Sequence, residues 1–219
     1  MKTRGVMLEP RTYRTLVAPP AATLEDASRF KSDGAITTAT WVRLPSGFWV
    51  LDFDPISYVT IPAAHTQLDF TSEDFSMIFR VNTDSVAASE VLWEKGLHNI
   101  EGVLFWISIG GGLEIFTSQG AANQMTNTAF ALIAINTWYT IGLSRNGASI
   151  RLYIDGVDVT NVAVAHIDPV TTVRTAKIGI RDNLAGNPFD GKIGFFRIYN
   201  YELSPAEHWS WHQRLRLNT

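Results

Sequence analysis

The chain has 219 residues, of which 46% are hydrophobic and 18% charged, and its formal net charge is −3. This length fits one large β domain, and the low charge gives no bulk attraction to nucleic acid or membranes. Cysteine is absent, so no disulfide can stabilise the fold. No apolar run reaches the roughly 18 residues of a membrane-spanning helix. The short apolar stretch near the N-terminus predicts no Sec signal peptide.

Residues 1–40 are predicted to form an extended arm, because three prolines interrupt them and no hydrophobic period is sustained. A short helix at residues 23–30, capped by Thr23, is the alternative. The first 20 residues hold four basic side chains and one acidic one, which gives a net charge of +3. The basic side chains are those of Lys2, Arg4, Arg11 and Arg14. The arm is either a solvated tail or a strap that docks to a larger assembly.

From residue 47 onward, short strands follow one another at the spacing typical of a β-sandwich. Strands are predicted at residues 47–53, 57–62, 75–81, 91–96, 103–109 and 113–117. In the strand at 75–81 apolar and polar side chains alternate, which indicates a half-buried strand, although Ile78 interrupts the pattern. Three glycines at 110–112 predict a tight hairpin. The polar residues 119–127 are predicted to form an exposed loop.

The clearest hairpin lies at residues 138–159. Asn146-Gly147 and Asp155-Gly156 are strong turn dipeptides, and runs of β-branched and aromatic residues flank them. A further strand is expected around residues 178–180. These turns and strands indicate antiparallel pairing between segments that are close in sequence.

The sequence FDGKIGFFRIYNYELS, residues 189–204, is typical of a closing strand. Asp190-Gly191 supplies the turn, and β-branched and aromatic residues follow it. Ser204 and Glu207 then have the spacing of a capping box, in which each side chain bonds a backbone N–H near the start of a helix. We therefore predict a short C-terminal helix within residues 205–219 that packs on the sandwich.

Two of these segments resemble the LamG-like, concanavalin A-like lectin and glucanase domains. The closing strand is similar to F-x-G-x-I-x-x-x-R-I-Y-N-x-x-L-S, and it matches at Phe189, Gly191, Ile193, Arg197, Ile198, Tyr199, Asn200, Leu203 and Ser204. The hairpin is similar to W-x-x-x-x-L-x-R-x-G-x-x-x-x-L-Y-x-D-G, and it matches at Trp138, Leu143, Arg145, Gly147, Leu152, Tyr153, Asp155 and Gly156. The resemblance implies an all-β fold, a two-sheet antiparallel jelly-roll sandwich at residues 41–204.

Concanavalin A-like folds include glycoside hydrolases, whose E-x-D-x-x-E motif places carboxylates along one strand. The motif is missing from this sequence. Glu90 and Glu94 frame the nearest stretch, and both are interpreted as solvated strand residues. His208 and His212 are spaced i, i+4 on the predicted helix, but no general-base glutamate or third ligand accompanies them. The sequence therefore predicts a protein that is not an enzyme.

Calcium is the cofactor that the resemblance implies, since many members of the family hold one ion at a loop edge through oxygen ligands. The candidates precede the closing strand and are Asp182, Asn183, Asn187 and Asp190. The alternative is that these residues only form turns. Gly194 and Phe195 stand where the family often has acids, which argues against a charge-rich site on the closing strand.

A glycan site needs aromatic platforms together with amides and acids. The side chains of these types are Trp93, His98, Asn99, Trp106, Asn123, Gln124 and Asn127. Most tryptophans in strands belong to the core, so the sequence leaves the role of the two tryptophans open.

Two non-catalytic functions are consistent with these patterns. The first is a structural or decoration protein on the surface of a virus or phage particle, docked through its arm to other proteins of a capsid or tail. The second is a carbohydrate-binding, lectin-like module for adhesion or substrate targeting. Either function predicts a virion-surface or extracellular location, without nucleic acid binding or membrane insertion.

Overall fold

Two antiparallel β-sheets and a short C-terminal helix make up the protein in a computed structural model, which describes residues 5–8 and 19–216. The early strands are β1 (Val6–Leu8), β2 (Thr23–Leu24), β3 (Gly34–Thr37), β4 (Thr40–Arg43), β5 (Trp49–Phe53), β6 (Tyr58–Ile61), β7 (Phe75–Thr83) and β8 (Glu90–Leu97). The later elements are β9 (Glu101–Ser108), β10 (Gly112–Gln119), β11 (Ala122–Thr128), β12 (Trp138–Asn146), β13 (Ser149–Ile154), β14 (Val157–Asp158), β15 (Thr160–Val162), β16 (Ala176–Ile178), β17 (Gly191–Tyr199) and the helix α1 (Pro205–Leu215). A single turn of 3₁₀-helix spans Thr66–Leu68.

The two sheets pack face to face around one large apolar core. The first sheet has the strand order β14-β13-β12-β7-β17-β5-β4, with β1 paired to β17. The second has the order β15-β11-β10-β9-β8-β16-β6-β3-β2. Between them Phe79 of β7 lies 6.0 Å from Phe105 of β9, measured between ring centroids. The predicted two-sheet antiparallel sandwich is therefore confirmed.

The closing strand and the hairpin form as the turn residues predict. Strand β17 lies inside the first sheet, between β7 and β5. Gly191 at its start has φ +138°, and a Cβ there would collide with the backbone of Asn82 and Thr83, so only glycine fits. Strands β12 and β13 pair with Ile141 opposite Ile154, and the Asn146-Gly147 turn joins them.

The structure differs from the predicted arm at residues 1–40. Strands β2 and β3 extend the second sheet, with Ala35 opposite Thr60 of β6. The helix expected at residues 23–30 does not form, because the Asp26 carboxylate accepts hydrogen bonds from the backbone N–H groups of Ser28 and Ser32 and closes a loop instead. The sandwich thus includes chain before residue 41. Lys2, Arg4, Arg11 and Arg14 lie outside the described residues.

Strand β7 is buried on both faces, so the half-buried strand predicted at residues 75–81 is wrong. Its inward side chains enter the main core, and Ile78 points the other way. There Ile78 packs with Tyr199, Leu203 and Leu215 in a second apolar cluster beneath α1. The helix therefore explains the apolar residue that interrupts the alternation in the sequence.

Residues 119–127 are mostly strand and not the exposed loop predicted from their polarity. Strand β11 pairs with β10, and Met125 lies opposite Phe116. Its polar residues face inward as well as outward: Thr126 Oγ1, together with Thr117 Oγ1 of β10, lies 2.8 Å from a ring nitrogen of the buried His166. Because hydrogen bonds satisfy these buried polar atoms, a polar sequence can form an interior strand.

Helix α1 starts at the predicted capping box and lies on the outer face of the first sheet. The Ser204 side chain accepts a hydrogen bond from the Glu207 N–H, and the Glu207 side chain bonds the Ser204 N–H in return. His208 is buried, where its ring stacks on Tyr153 at 3.8 Å and bonds Ser144 Oγ at 2.8 Å. Among the described residues, no helix is both long and apolar enough to cross a membrane.

Candidate functional site

Three rings, those of His98, Trp106 and Phe116, meet on the outer face of the second sheet, and we call them the ring cluster. Trp106 lies on β9 and Phe116 on the neighbouring β10, with their centroids 5.3 Å apart at an interplanar angle of 78°. The His98 ring follows β8 and lies 4.6 Å from Phe116 and 5.9 Å from Trp106. Trp106 and His98 are partly exposed. The ring cluster thus forms an apolar surface that solvent reaches.

Two buried aliphatic side chains, those of Val91 and Leu104, pack against the ring cluster from below. Val91, Leu104 and Phe116 form a small buried group of their own, with Trp106 and Met125 packed against it. Neighbouring residues on the same strands, such as Phe105, face the main core instead. Because side chains alternate along a strand, the outer face is apolar at positions where a solvated sheet would carry polar residues.

Hydrogen-bonding side chains surround the ring cluster. Trp106 Nε1 donates to Glu114 Oε2 at 2.7 Å, which orients the indole. Asn123 Nδ2 donates to Asn99 Oδ1 at 2.6 Å, and both asparagines are exposed. Asn127 lies opposite Glu114 on the next strand. The site therefore combines an aromatic floor with a rim of amides and a carboxylate.

Glu94 lies next to the ring cluster, and its interpretation as a solvated residue is wrong. Only 1% of it is exposed. Its Oε1 accepts a hydrogen bond from the His98 N–H at 3.0 Å, and its Oε2 accepts one from the Asp182 N–H. Burial raises the pKa of its carboxyl group. The two peptide N–H groups solvate the carboxylate in place of water and hold the loop that carries His98.

Glu90 is also buried, at 2% exposure, so its interpretation as a solvated residue is wrong too. Thr83 Oγ1 donates a hydrogen bond to its carboxyl group, and burial raises its pKa to about 8. Glu90 is paired with Ile107, whose side chain belongs to the core, whereas Glu94 is paired with Leu104, whose side chain lies beneath the ring cluster. A register shift between Val91 and Trp93 separates them. The two carboxyl groups therefore lie on opposite faces of the sheet.

His98 and Arg181 contribute polar atoms that no protein group binds. The His98 Nδ1 atom is buried without a hydrogen-bond partner, and so is Arg181 Nε. Arg181 Nε lies 3.9 Å from Glu94 Oε1, which is an ion pair without a hydrogen bond. Burial, and secondly the charge of Arg181, lower the pKa of His98 to about 4. His98 is therefore neutral at pH 7.

The structure separates the predicted glycan residues into two groups. His98, Asn99, Trp106, Asn123 and Asn127 come together at the ring cluster. Trp93 is 0% exposed and belongs to the main core, so it offers no surface to a ligand.

Gln124 has a structural contact. Its Oε1 accepts a hydrogen bond from the Ile167 N–H at 3.3 Å.

The glycan residues predicted from the sequence did not include Phe116, Glu114 and Arg181. Phe116 had a sequence signal, since it is an apolar residue out of phase with the core positions Leu113 and Ile115. Arg181 had none, because only the folding of its loop brings it to Glu94.

The calcium candidates do not fit one set of ion ligands. Asp182 Oδ2 accepts a hydrogen bond from Arg174 at 2.7 Å, and Asn183 Oδ1 accepts one from the Ala185 N–H. Asn187 turns its amide nitrogen to the Ser89 carbonyl. Asp190 lies near a different set of acids, Asp52, Asp54 and Asp84. Over residues 5–8 and 19–216, no three histidine, aspartate or glutamate side chains gather where they could hold a metal ion.

His208 and His212 do not act as a metal pair. His212 Nδ1 lies 3.2 Å from Asp155 Oδ1, while His208 bonds Ser144. Both histidines thus fasten α1 to the first sheet. Burial lowers the pKa of His208 to about 4, so it stays neutral there.

Solved structures with this fold include several binding domains. Domain 4 of AbnA, a GH43 extracellular arabinanase from Geobacillus stearothermophilus, solved with arabinotriose, has a TM-score of 0.69 and 16% identity, with 100% of both chains covered. The binding domain of Paraclostridial Mosquitocidal Protein 1 has a TM-score of 0.73 and 13% identity, over 96% of this chain and 52% of that one. For the binding domain of Botulinum Neurotoxin DC in complex with SialylT, the TM-score is 0.67 and the identity 15%, over 96% of this chain and 51% of that one.

At these identities the likeness concerns the fold alone, and this chain spans about half the length of the toxin binding domains. A comparison with curated protein sequences finds no match. The sequence matches the concanavalin A-like lectin/glucanases superfamily over residues 56–207. This segment is more than half of the chain and contains the hairpin, the ring cluster and the closing strand. The chain therefore belongs to the concanavalin A-like lectin/glucanases superfamily.

Proposed function

We propose that this protein is a non-catalytic, lectin-like module that binds glycans at the ring cluster. The observation that carries this proposal is the combination of exposed aromatic surface at Trp106 and His98 with amides at Asn99 and Asn123. The C–H face of a sugar ring packs on an aromatic ring, and its hydroxyl groups exchange hydrogen bonds with amides and carboxylates. Glu114 completes the rim.

The carboxylates of β8 support a binding role over hydrolysis. Retaining and inverting glycosidases both need two carboxyl groups that flank one glycosidic bond. Glu90 and Glu94 lie on opposite faces of the sheet, and both are buried. Glu94 is also occupied by two peptide N–H groups. Glu90 and Glu94 therefore do not form a pair of carboxyl groups that could face one substrate.

The similar structures support glycans as the ligand class. One was solved with arabinotriose and another with SialylT. Since their identity to this chain is low, they suggest a class of ligand and not its position. The position is inferred from the ring cluster itself.

The proposal is tested by substituting Trp106→Ala and measuring binding on a glycan array, followed by titration of each hit. Loss of the indole removes most of the exposed aromatic floor, so we expect affinity to fall about tenfold or more. Trp209→Ala is the matched control, because Trp209 is 50% exposed on α1, far from the second sheet's outer face. Equal affinity of the Trp106 variant and the wild type would place the binding surface elsewhere, and silence on the array would count against a lectin.

The same titrations in calcium and in a chelator test the cofactor expectation. The candidate calcium residues are bound to other protein groups, so we expect equal affinity under both conditions. A strong calcium requirement would mean that this loop rearranges around an ion.

The second proposal is that the protein is attached to the surface of a virus or phage particle. The +3 charge of residues 1–20 supports it, because a basic segment can dock on an acidic partner. Strand β1 also pairs with β17, so residues 6–8, which belong to this segment, lie on the sandwich. Attachment and glycan binding are compatible, since a lectin on a particle surface serves adhesion.

Attachment is tested by replacing Lys2, Arg4, Arg11 and Arg14 with glutamine and following sedimentation with particles from the source organism. The substitutions remove the charge without shortening the chain, so β1 is retained. We expect the wild type to sediment with the particles and the variant to stay in the supernatant. Sedimentation of both proteins to the same extent would contradict docking through the basic segment.

A further inference from the structure

We propose that the glycan bound at the ring cluster is acidic, and that Arg181 and His98 receive its carboxylate. This inference rests on the proposed function of the ring cluster and specifies the ligand class of that site. It starts from two buried side-chain nitrogens, one of His98 and one of Arg181, that have no hydrogen-bond partner in the protein.

Arg181 has an exposed fraction of 18% for its side chain, and its Nε atom is buried without a hydrogen-bond partner. Its neighbour Glu94 is 3.9 Å away and already accepts two hydrogen bonds from peptide N–H groups. Arg174, in contrast, donates to Glu101 at 2.8 Å and to Asp182 at 2.7 Å. Arg181 is thus a largely buried cation whose Nε has no hydrogen-bond partner in the protein.

His98 is connected to Arg181 through Glu94. The Glu94 Oε1 atom accepts the His98 N–H and is also the atom closest to Arg181. The His98 ring in turn contacts Phe116 and Trp106. Its buried Nδ1 has no partner. Glu94 therefore links Arg181 to the loop that carries His98, and the His98 ring contacts the indole of Trp106.

A carboxylate on a sugar ring satisfies these groups better than a hydroxyl does. A desolvated guanidinium gains most from an anion, and its planar donors match the two oxygens of a carboxylate. A neutral imidazole can donate one further hydrogen bond. With the carboxylate at Arg181 and His98, the sugar ring to which it is attached lies on the aromatic floor at Trp106. Uronic acids and sialic acids share this chemistry.

The experiment uses two matched pairs of ligands, titrated calorimetrically into the full chain. Galacturonic acid trimer is compared with galactotriose, and sialyllactose with lactose, so that the pairs distinguish uronic from sialic acids. We expect one acidic ligand to bind about tenfold or more tightly than its neutral counterpart, as for a charge-assisted hydrogen bond. In Arg181→Gln the two members of that pair should bind within about threefold of each other.

Arg151→Gln is the control for charge, because Arg151 is exposed on the first sheet. It should keep the preference for the acidic ligand. Arg181→Lys retains the charge and removes the planar donors, so it should lose only part of the preference. Thermal unfolding of each variant checks that the fold is intact, and Arg181→Lys provides the comparison if Arg181→Gln does not fold.

Equal binding of acidic and neutral ligands would overturn this inference and leave the lectin function standing. Binding of sulfated sugars without carboxylated ones would also overturn it. If no glycan of any class binds, the proposed function itself fails. An acidic preference that Arg181→Gln leaves unchanged would place the carboxylate at another cation.

Discussion

Glu90 shows how the position of a strand in its sheet decides the chemistry of a residue. Glutamate is seldom buried, yet β8 lies inside the second sheet and carries Glu90 inward, opposite Ile107. Asp84 and Asp190 add like charge nearby, although burial is the main cause of its raised pKa of about 8. A carboxyl group with this pKa is mostly protonated at pH 7. The hydrogen bond between Thr83 Oγ1 and Glu90 therefore involves a neutral carboxyl group.

Glu90→Gln is predicted to stabilise the protein at alkaline pH and not in acid. The raised pKa means that the unfolded chain loses this proton near pH 4.5 and the folded chain near pH 8, so Glu90 costs stability progressively as pH rises between these values. The cost approaches about 1.4 kcal/mol per pH unit. Glutamine has a similar shape and no charge, so urea unfolding at pH 5 and pH 8.5 should show a smaller decline for the variant.

The exposed Glu202→Gln is the matched control and should leave this pH dependence unchanged. A Glu90→Gln variant that declines between pH 5 and pH 8.5 as the wild type does would show that Glu90 is ionised in the folded protein.

At the scale of elements, α1 depends on a glycine that lies across from it in the first sheet. A Cβ at Gly142 would lie 2.6 Å from the His208 Nδ1 atom, and His208 is held between Tyr153 and Ser144. The helix therefore packs closely because β12 has no side chain at this position. Beneath the helix Ile78 and Tyr199 are kept from water.

Gly142→Ala is predicted to push α1 outward and to lower the free energy of unfolding by about 1–3 kcal/mol, the usual cost of overpacking. Urea unfolding measures the loss, and tryptophan fluorescence reports the environment of Trp211 on the helix. The double variant with His208→Ala removes the ring that the new methyl group meets. Gly142→Ala should therefore cost much less in that background. The same cost in both backgrounds would mean that the collision is with the strands instead.

Other elements were predictable to different extents. The hairpin around Asn146-Gly147, the closing strand and the capping box at Ser204 follow from local turn and cap chemistry, which acts between residues close in sequence. Strands β2, β3 and β11 were not predicted. Their sequences are short or polar, and they form strands because a neighbouring strand supplies their hydrogen bonds.

At the scale of the whole molecule, buried histidines and buried carboxyl groups change the stability of the fold with pH in opposite directions. Burial lowers the pKa of His98, His166 and His208 to about 4. Each contributes stability that is present above the unfolded pKa of 6.5 and is lost as pH falls toward 4. Glu90 and Glu94, whose pKa values are raised, act in the opposite direction as pH rises above 4.5.

We therefore predict a stability maximum near pH 6.5, because the three histidines lose stability below this pH and the two carboxyl groups continue to lose it above. Urea unfolding at fixed temperature from pH 3 to pH 9 measures the curve. In His166→Asn the acid decline should be shallower, because that buried group no longer takes up a proton on unfolding. A stability that continues to rise above pH 7 would contradict the prediction.

The sequence by itself determined the all-β class, the turns and the C-terminal helix, since these depend on hydrophobic period, turn dipeptides and cap residues that act locally. The resemblance of two of its motifs indicated the family. Only the tertiary structure decided which polar residues are buried and which side chains share a site. His98, Trp106, Phe116 and Arg181 come from four separate segments: sheet pairing brings Trp106 to Phe116, and the folding of two loops adds His98 and Arg181. Burial of Glu94 and exclusion of Trp93 from the surface follow from the same cause, because side chains from distant strands form their surroundings.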